Sequence, residues 1–389
     1  MSLKVIKGRV IDGTGSDPIE HGIVVVEDKK IAAVCREDAY ELPEAAEVFE
    51  VDNATIMPGF IDLHIHYGLG TTNLVDVYLR NDIEKAMMAV FEMGKTIEAG
   101  FTSVREAGGL ANFFKGPIAE GFVQGPRICA AGQYLTQTGG HADLIQKLPV
   151  SFTRERVTHT CIADGVPACR EAARLQFRNG ADFLKIMTTG GVTSQGDGNR
   201  ESQFSLSEIR AFVEEAEMHD TYVATHAHGT QGIKNALLGG VKSIEHGMFY
   251  DDECIELMIR NNAYLVPTFT IVNTYMENLD KLPPWVVDKI TASHEAHFVS
   301  ARRCYEAGVK IGLGSDLIGD PKVCPFGING REFELLTKIG MSPMEAIVAG
   351  TRTASELMRM PDKIGTLGPG KLADITVCTG NPLDDISIL

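Results

Sequence analysis

Eight short apolar runs alternate with helical patterns through the middle of this chain, and that alternation restricts the folds open to it. The runs are Phe60–His66, Thr102–Glu106, Arg127–Ala131, Phe183–Thr188, Tyr222–His226, Lys242–Glu245, Tyr264–Thr268 and Lys310–Ser315. Helical spacing appears over Asp82–Ala99, Pro167–Arg178, Thr230–Leu238, Asp251–Asn261 and Trp285–Ala307. Ser205-Leu-Ser-Glu208 reads as a capping box before a helix over Ile209–Met218. Eight strands, each followed by helix, are what an α/β fold of the (β/α)8 TIM barrel type requires. A doubly wound open sheet would carry G-x-G-x-x-G after its first strand, and none occurs here. The long loops Tyr67–Asp82 and Gly132–Pro167 would then lie on the barrel's C-terminal face, where such folds place chemistry.

Both chain ends read differently. Leu3–Val10, Gly22–Val26 and Lys30–Val34 are β-branched runs separated by turn residues, and Leu372–Cys378 repeats the style. The expected organisation is a small β-sandwich built from 1–56 and 362–389, flanking a barrel over 57–361. At 389 residues, with 44% hydrophobic and 23% charged residues, the chain can bury a core, which excludes wholesale disorder. Its 52 acidic against 36 basic residues speak against a nucleic-acid partner. No apolar run reaches the ~18 residues of a membrane helix, and the first 13 residues read as a strand rather than a signal peptide. The expectation is a cytoplasmic protein. Its eight scattered cysteines, without C-x-x-C, then read as reduced thiols.

The 11 histidines are unevenly spread. His64 and His66 close the first run, and alternate strand positions share a face, so both imidazoles can reach one cation. His226 and His228 close the fifth run, His246 the sixth, and Asp316 follows the eighth. Each has a plain structural alternative, since a strand-end Asp is often a helix N-cap. Their conjunction at four strand ends points to a divalent-metal site of imidazole and carboxylate ligands. By alternation either His226 or His228 can be the ligand. Lys185 is a charge inside the apolar fourth run, where a lone ammonium is costly. It either pairs with an acid or is carbamylated by CO₂ into a carboxylate that bridges two metals. Arg105 and Glu106 read as an internal ion pair, and His21, His159, His219, His294 and His297 as surface or helix-face histidines.

These residues resemble the amidohydrolase superfamily of metal-dependent hydrolases along nearly the whole chain. The resemblance rests on Pro58-Gly-Phe-Ile-Asp-Leu-His-Ile-His66, the fourth-strand lysine, the two later histidines and the final aspartate. Within the superfamily the chain is similar to the Xaa-Pro dipeptidase (prolidase) and carboxypeptidase-like branch. That branch includes an ochratoxin amidase and is close to imidazolonepropionases. Thr136-Gln-Thr-Gly-Gly-His141-Ala-Asp143, Lys185-Ile-Met-Thr-Thr-Gly-Gly191 and Thr225-His-Ala-His-Gly229 carry this closer likeness.

The resemblance implies two divalent ions, zinc foremost. His64, His66 and Asp316 would hold one, His226 and His246 the other, and carbamylated Lys185 both. A metal-bridging hydroxide would attack the amide of a dipeptide or N-acyl amino acid. Asp316 would move the proton, and His228 would hydrogen-bond the developing oxyanion. His141 would meet the substrate's carboxylate. Tyr67 either lines the pocket or packs against a loop. A homo-oligomer is implied as well. The alternative is a cyclic-amide hydrolase of the imidazolonepropionase kind, which keeps one metal and lacks the bridging lysine. A deaminase would carry His-x-x-Glu after the fifth strand, whereas Gly229 stands at the last place. A scaffold without activity predicts lost ligands, and all six positions are filled.

Overall fold

The computed structural model of the chain describes residues 3–143 and 148–389. Met1, Ser2 and 144–147, the last within the long loop expected over Gly132–Pro167, lie outside the described residues. The strands, in chain order, begin with β1 (Leu3–Val10), β2 (Ile19–Glu27), β3 (Lys30–Arg36) and β4 (Glu47–Pro58). Next come β5 (Phe60–Ile65), β6 (Phe101–Glu106), β7 (Arg127–Ala130), β8 (Tyr134–Thr136) and β9 (Thr160–Ile162). The later ones are β10 (Leu184–Met187), β11 (Val223–Ala227), β12 (Ser243–His246), β13 (Tyr264–Val266), β14 (Lys310–Ile311) and β15 (Ile375–Thr379).

Both ends of the chain meet in one five-stranded sheet of order β15-β4-β1-β2-β3. This corrects the expected sandwich of two sheets. Alternation along β2 sends Val24 and Val26 to one face and Ile23 and Val25 to the other. Leu367 packs on the first face, Tyr40 and Leu42 on the second. Irregular segments therefore cover the sheet where a second sheet was expected.

The middle is α/β with parallel strands. β5-β6-β7 form one sheet, and β14-β13-β12-β11-β10-β8-β9 another. Backbone hydrogen bonds join the two sheets on both flanks. On one, Leu63 N–H donates to Leu313 (2.9 Å) and Asp316 N–H to His64 (2.6 Å). On the other, Asp182 N–H donates to Ala130 (2.7 Å). The third expected run is β7; beyond it Gly132, with φ of +72°, turns the chain, and the stretch expected as a loop carries β8, which pairs with β10, and β9. The eighth run is strand only at Lys310–Ile311. A Cβ at Gly314 would sit 2.4 Å from Val266 Cγ1 and 2.9 Å from His64 Cβ, so this segment crosses too close to β5 for any larger residue.

The helices start where their caps predict. Ser205 and Glu208 form the expected capping box, and Asn81–Glu84 and Ser342–Glu345 form two more. Phe60, Phe101 and Phe333 interlock beneath the strands, with Phe60 and Phe333 edge-to-face at 4.8 Å. All eight cysteines are free. Among the described residues no helix is long and apolar enough to cross a membrane.

One buried carboxylate anchors the end of β13. Glu332, wholly inaccessible, accepts from Phe269 N–H (2.9 Å) and from Thr270 N–H (2.6 Å) and Oγ1 (2.7 Å). Two buried backbone donors lose their only described partner if it is truncated. Each such loss costs roughly 1–3 kcal/mol. Glu332→Ala is expected to lower unfolding free energy by about 2–5 kcal/mol in a denaturant titration, and Glu332→Gln by at least half of that, because its single amide oxygen can accept from only one of the two N–H groups.

Candidate metal centre and substrate cavity

The site begins with a carboxylate that the sequence reading did not single out. Glu245 on β12 is wholly buried, with Arg105 Nη2 at 2.7 Å from Oε1 and 2.8 Å from Oε2. Burial works against its charge, and the Arg105 guanidinium, with the His64 N–H, overcomes that and holds its pKa below the ordinary carboxylate range. Arg105 thus pairs with Glu245, not with its neighbour Glu106. Glu106 instead accepts from the backbone N–H groups of Ala111 (2.7 Å) and Tyr67 (3.3 Å).

The second demand on Glu245 comes from His64, whose Nδ1 lies 2.6 Å from Oε2. A carboxylate only accepts, so Nδ1 carries the proton and Nε2 keeps its lone pair. Among the described residues His64 Nε2 has no hydrogen-bond partner. His66 donates Nδ1–H to the Gly108 carbonyl at 2.8 Å, and its Nε2 lies 3.1 Å from Asp316 Oδ1. One ligand atom each from His64, His66 and Asp316 falls within 4.8 Å of the others, a group able to hold one ion.

His246 and Asp316 reach the same cavity by unusual backbone. Both are left-handed, at φ +71° and +57°. At His246 this breaks strand alternation, so Glu245 and His246, adjacent in sequence, both serve the interior. His246 Nδ1 is 2.7 Å from Thr268 Oγ1, itself left-handed at the end of β13.

Lys185, His226, His228 and His141 line the cavity with them. Ring centroids are 4.6 Å apart for His226–His246, 4.4 Å for His226–His228 and 4.9 Å for His64–His246. His141 stacks on His226 at 4.1 Å. His228 is buried, and neither ring nitrogen has a hydrogen-bond partner among the described residues. Burial, then neighbouring imidazoles, keep His226 and His228 far below the usual histidine range, and His64 is pushed down to about 4. Burial also pushes the Lys185 amine down to about 8. The nest thus presents neutral imidazoles with lone pairs, the protonation state a metal requires, and at His64 Nε2 an orphaned buried nitrogen that a cation would satisfy. The residues present fit divalent ions.

The cavity holds about 1010 Å³ of empty space, mouth included. Above the polar floor its wall is apolar, with Leu69, Val192, Met248, Ile271, Tyr275 and Ile290. Tyr67 is not in that wall. Its ring stacks on Phe326 at 4.9 Å and its hydroxyl donates to Thr96 Oγ1 at 2.9 Å, the loop-packing role of the two considered. Two of the histidines expected as surface or helix-face residues are buried, and His297 does lie on a helix face. His159 lines the cavity, and His297 donates Nε2–H to the His246 carbonyl at 3.0 Å. Helical spacing after Trp285 could have flagged His297, since 286, 290, 293 and 297 share the buried face.

The amidohydrolase family profile matches residues 55–389. The chain is 30% identical to ochratoxinase of Aspergillus niger over 404 aligned positions, covering 99% of this chain and 82% of the relative. A solved Xaa-Pro dipeptidase with methionine in its active site superposes with TM-score 0.89 at 31% identity, covering 100% of this chain and 96% of the other. A prolidase complexed with N-methylphosphonate-L-proline gives 0.91 at 33%, covering 100% and 95%. With the profile spanning most of its length, the chain belongs to the amidohydrolase family.

Proposed function

We propose that the chain is a binuclear metal-dependent amidohydrolase cleaving the amide bond of a dipeptide or N-acyl amino acid. The observation that carries this is the convergence of His64, His66 and Asp316 on one point beside Lys185. The hydrogen bonds across both flanks of the two parallel sheets support a closed (β/α)8 barrel over 57–361, with 1–56 and 362–389 as the attached β domain. The prolidase and ochratoxinase likeness supports amide hydrolysis.

His64, His66 and Asp316 would hold one ion and His226 and His246 the other. Lys185, carbamylated, would join both. Bound divalent cations supply Lewis-acid polarisation of the carbonyl and a lowered water pKa. Asp316 accepts the proton of the attacking water and returns it to the departing amine, so that amide and water become carboxylic acid and amine. His228, neutral and without another partner among the described residues, offers one N–H to the oxyanion. His141 faces the substrate from its loop. Lys185 also favours this reading over a single-metal cyclic-amide hydrolase, because an imidazole site with one ion has no use for a bridging group. Zinc suits the donor set.

A screen of metal-replete protein against Xaa-Pro, Xaa-Arg/Lys and N-acyl amino acid libraries tests the function; inactivity on all of them overturns it. His64→Ala is expected to lose metal, by elemental analysis, and turnover with it, while circular dichroism stays native. Asp316→Asn should keep at least one ion and lose ~10²–10⁴-fold in kcat. Glu245→Gln, which leaves one acceptor oxygen for both Arg105 and His64 and puts an NH₂ donor in place of the other, should weaken metal affinity ~10–100-fold in a chelator competition. Protein loaded in CO₂-free buffer should gain activity when bicarbonate is added, and indifference counts against carbamylation of Lys185.

A further inference from the structure

A closed circuit of hydrogen bonds lies behind His141, and none of its other members belongs to the metal centre. Ser194 Oγ donates to Asp197 Oδ1. Gln203 Nε2 donates to Asp197 Oδ2 at 3.0 Å, and Gln203 Oε1 accepts the His141 backbone N–H at 2.9 Å. His141 Nδ1 closes the circuit 2.9 Å from Ser194 Oγ. Ser194, Asp197 and Gln203 are all buried.

Each direction in this circuit is forced. The carboxylate of Asp197 only accepts, so the single hydroxyl proton of Ser194 is spent on it. Ser194 Oγ then has only lone pairs for His141, and Nδ1 must be the donor. The same logic orients Gln203, whose NH₂ faces Asp197 and whose oxygen faces the backbone. The other imidazole nitrogen, Nε2, is left for the cavity that His141 lines.

The support is itself held rigid. Lys289 Nζ donates to the carbonyls of Gly191 (2.8 Å) and Ser194 (2.7 Å) and stands 3.5 Å from Asp197 Oδ1. Trp285 Nε1 donates to the Thr193 carbonyl at 3.1 Å. Gly191 clears the space, since a Cβ there would lie 2.1–2.6 Å from three atoms of the His141 ring.

We propose that Ser194 and Asp197 are positioning residues that fix His141 as its Nδ1–H tautomer and present Nε2 to the substrate. The substrate-facing role of His141 rests on the proposed function; the tautomer does not. Neutral, Nε2 is an acceptor for a substrate N–H.

The test is ¹⁵N NMR of zinc-loaded, ¹⁵N-histidine-labelled protein, with His141→Gln used only to assign the resonances. Wild type is expected to show a protonated Nδ1 and a bare Nε2 at His141. Ser194→Ala should lose that preference and raise KM for an N-acyl amino acid about tenfold, the equivalent of one modest hydrogen bond, with kcat within about twofold and metal content unchanged. Ser194→Thr, which keeps the hydroxyl, should restore both readings. An Nε2–H tautomer in wild type overturns the proposal. So does Ser194→Ala with unchanged tautomer, or with kcat and metal content falling together. If wild type hydrolyses no amide, the functional reading fails, and the NMR result still decides the tautomer.

Discussion

Glu245 is a carboxylate in the middle of the fold without access to water, and the shape of the site follows from how its charge is met. An unpaired buried charge costs several kcal/mol, so such a group persists only where its lone pairs are filled. Arg105 reaches both oxygens from β6, and the same guanidinium donates through Nε to the Leu63 carbonyl of β5 at 2.6 Å. One ion pair thereby links β5, β6 and β12, whose ends carry His64, His66 and His246. The capacity left on Glu245 is filled by His64 Nδ1 and the Ser243 hydroxyl. The pair is therefore structural and functional at once. It balances a charge inside the fold, and it decides which nitrogen of His64 faces the cavity.

The imidazoles around it are constrained by their own crowding. Rings 4–5 Å apart in a buried nest cannot all be protonated, since like charges at that separation repel strongly at low dielectric. Burial already disfavours the cation, and each neighbour adds to the effect. The nest thus holds neutral ligands ready for a cation before any arrives. Lys185, deprotonating more readily in the same surroundings, is drawn toward its neutral form, the nucleophilic form of an amine.

What could be read from the sequence was what depends on local period. His64 and His66 share a face because strands repeat every two residues, and the capping box at Ser205–Glu208 is a four-residue signal. Glu245 escaped because the same rule puts it opposite His246. Only the left-handed backbone at His246 brings both inward, and a period of two does not encode that. Arg105 was paired with its sequence neighbour Glu106, whereas its partner is 140 positions away across the interior. The stretch from Gly132 to Pro167 reads as one long loop, yet it contains the three-residue strands β8 and β9, too short to show a period of two. Tyr67, adjacent to the ligand pair, faces the far side for the same alternating reason that makes His64 and His66 partners.

The two loops that bring His141 to the cavity show why glycine-rich stretches here are rigid. Gly190 and Gly191 would read as flexible points in isolation. Here Gly191 leaves room for an imidazole, and its carbonyl is tied to Lys289. Gly190 accepts from His226 Nε2 at 3.3 Å, so the loop also touches the metal nest. Backbone with little side-chain bulk lets a loop pass close to the rings, and polar atoms along it supply the fixed directions. A substrate entering from the apolar mouth therefore meets groups whose donor and acceptor senses are already set. That reduces the reorganisation needed as charge develops on the reacting carbonyl.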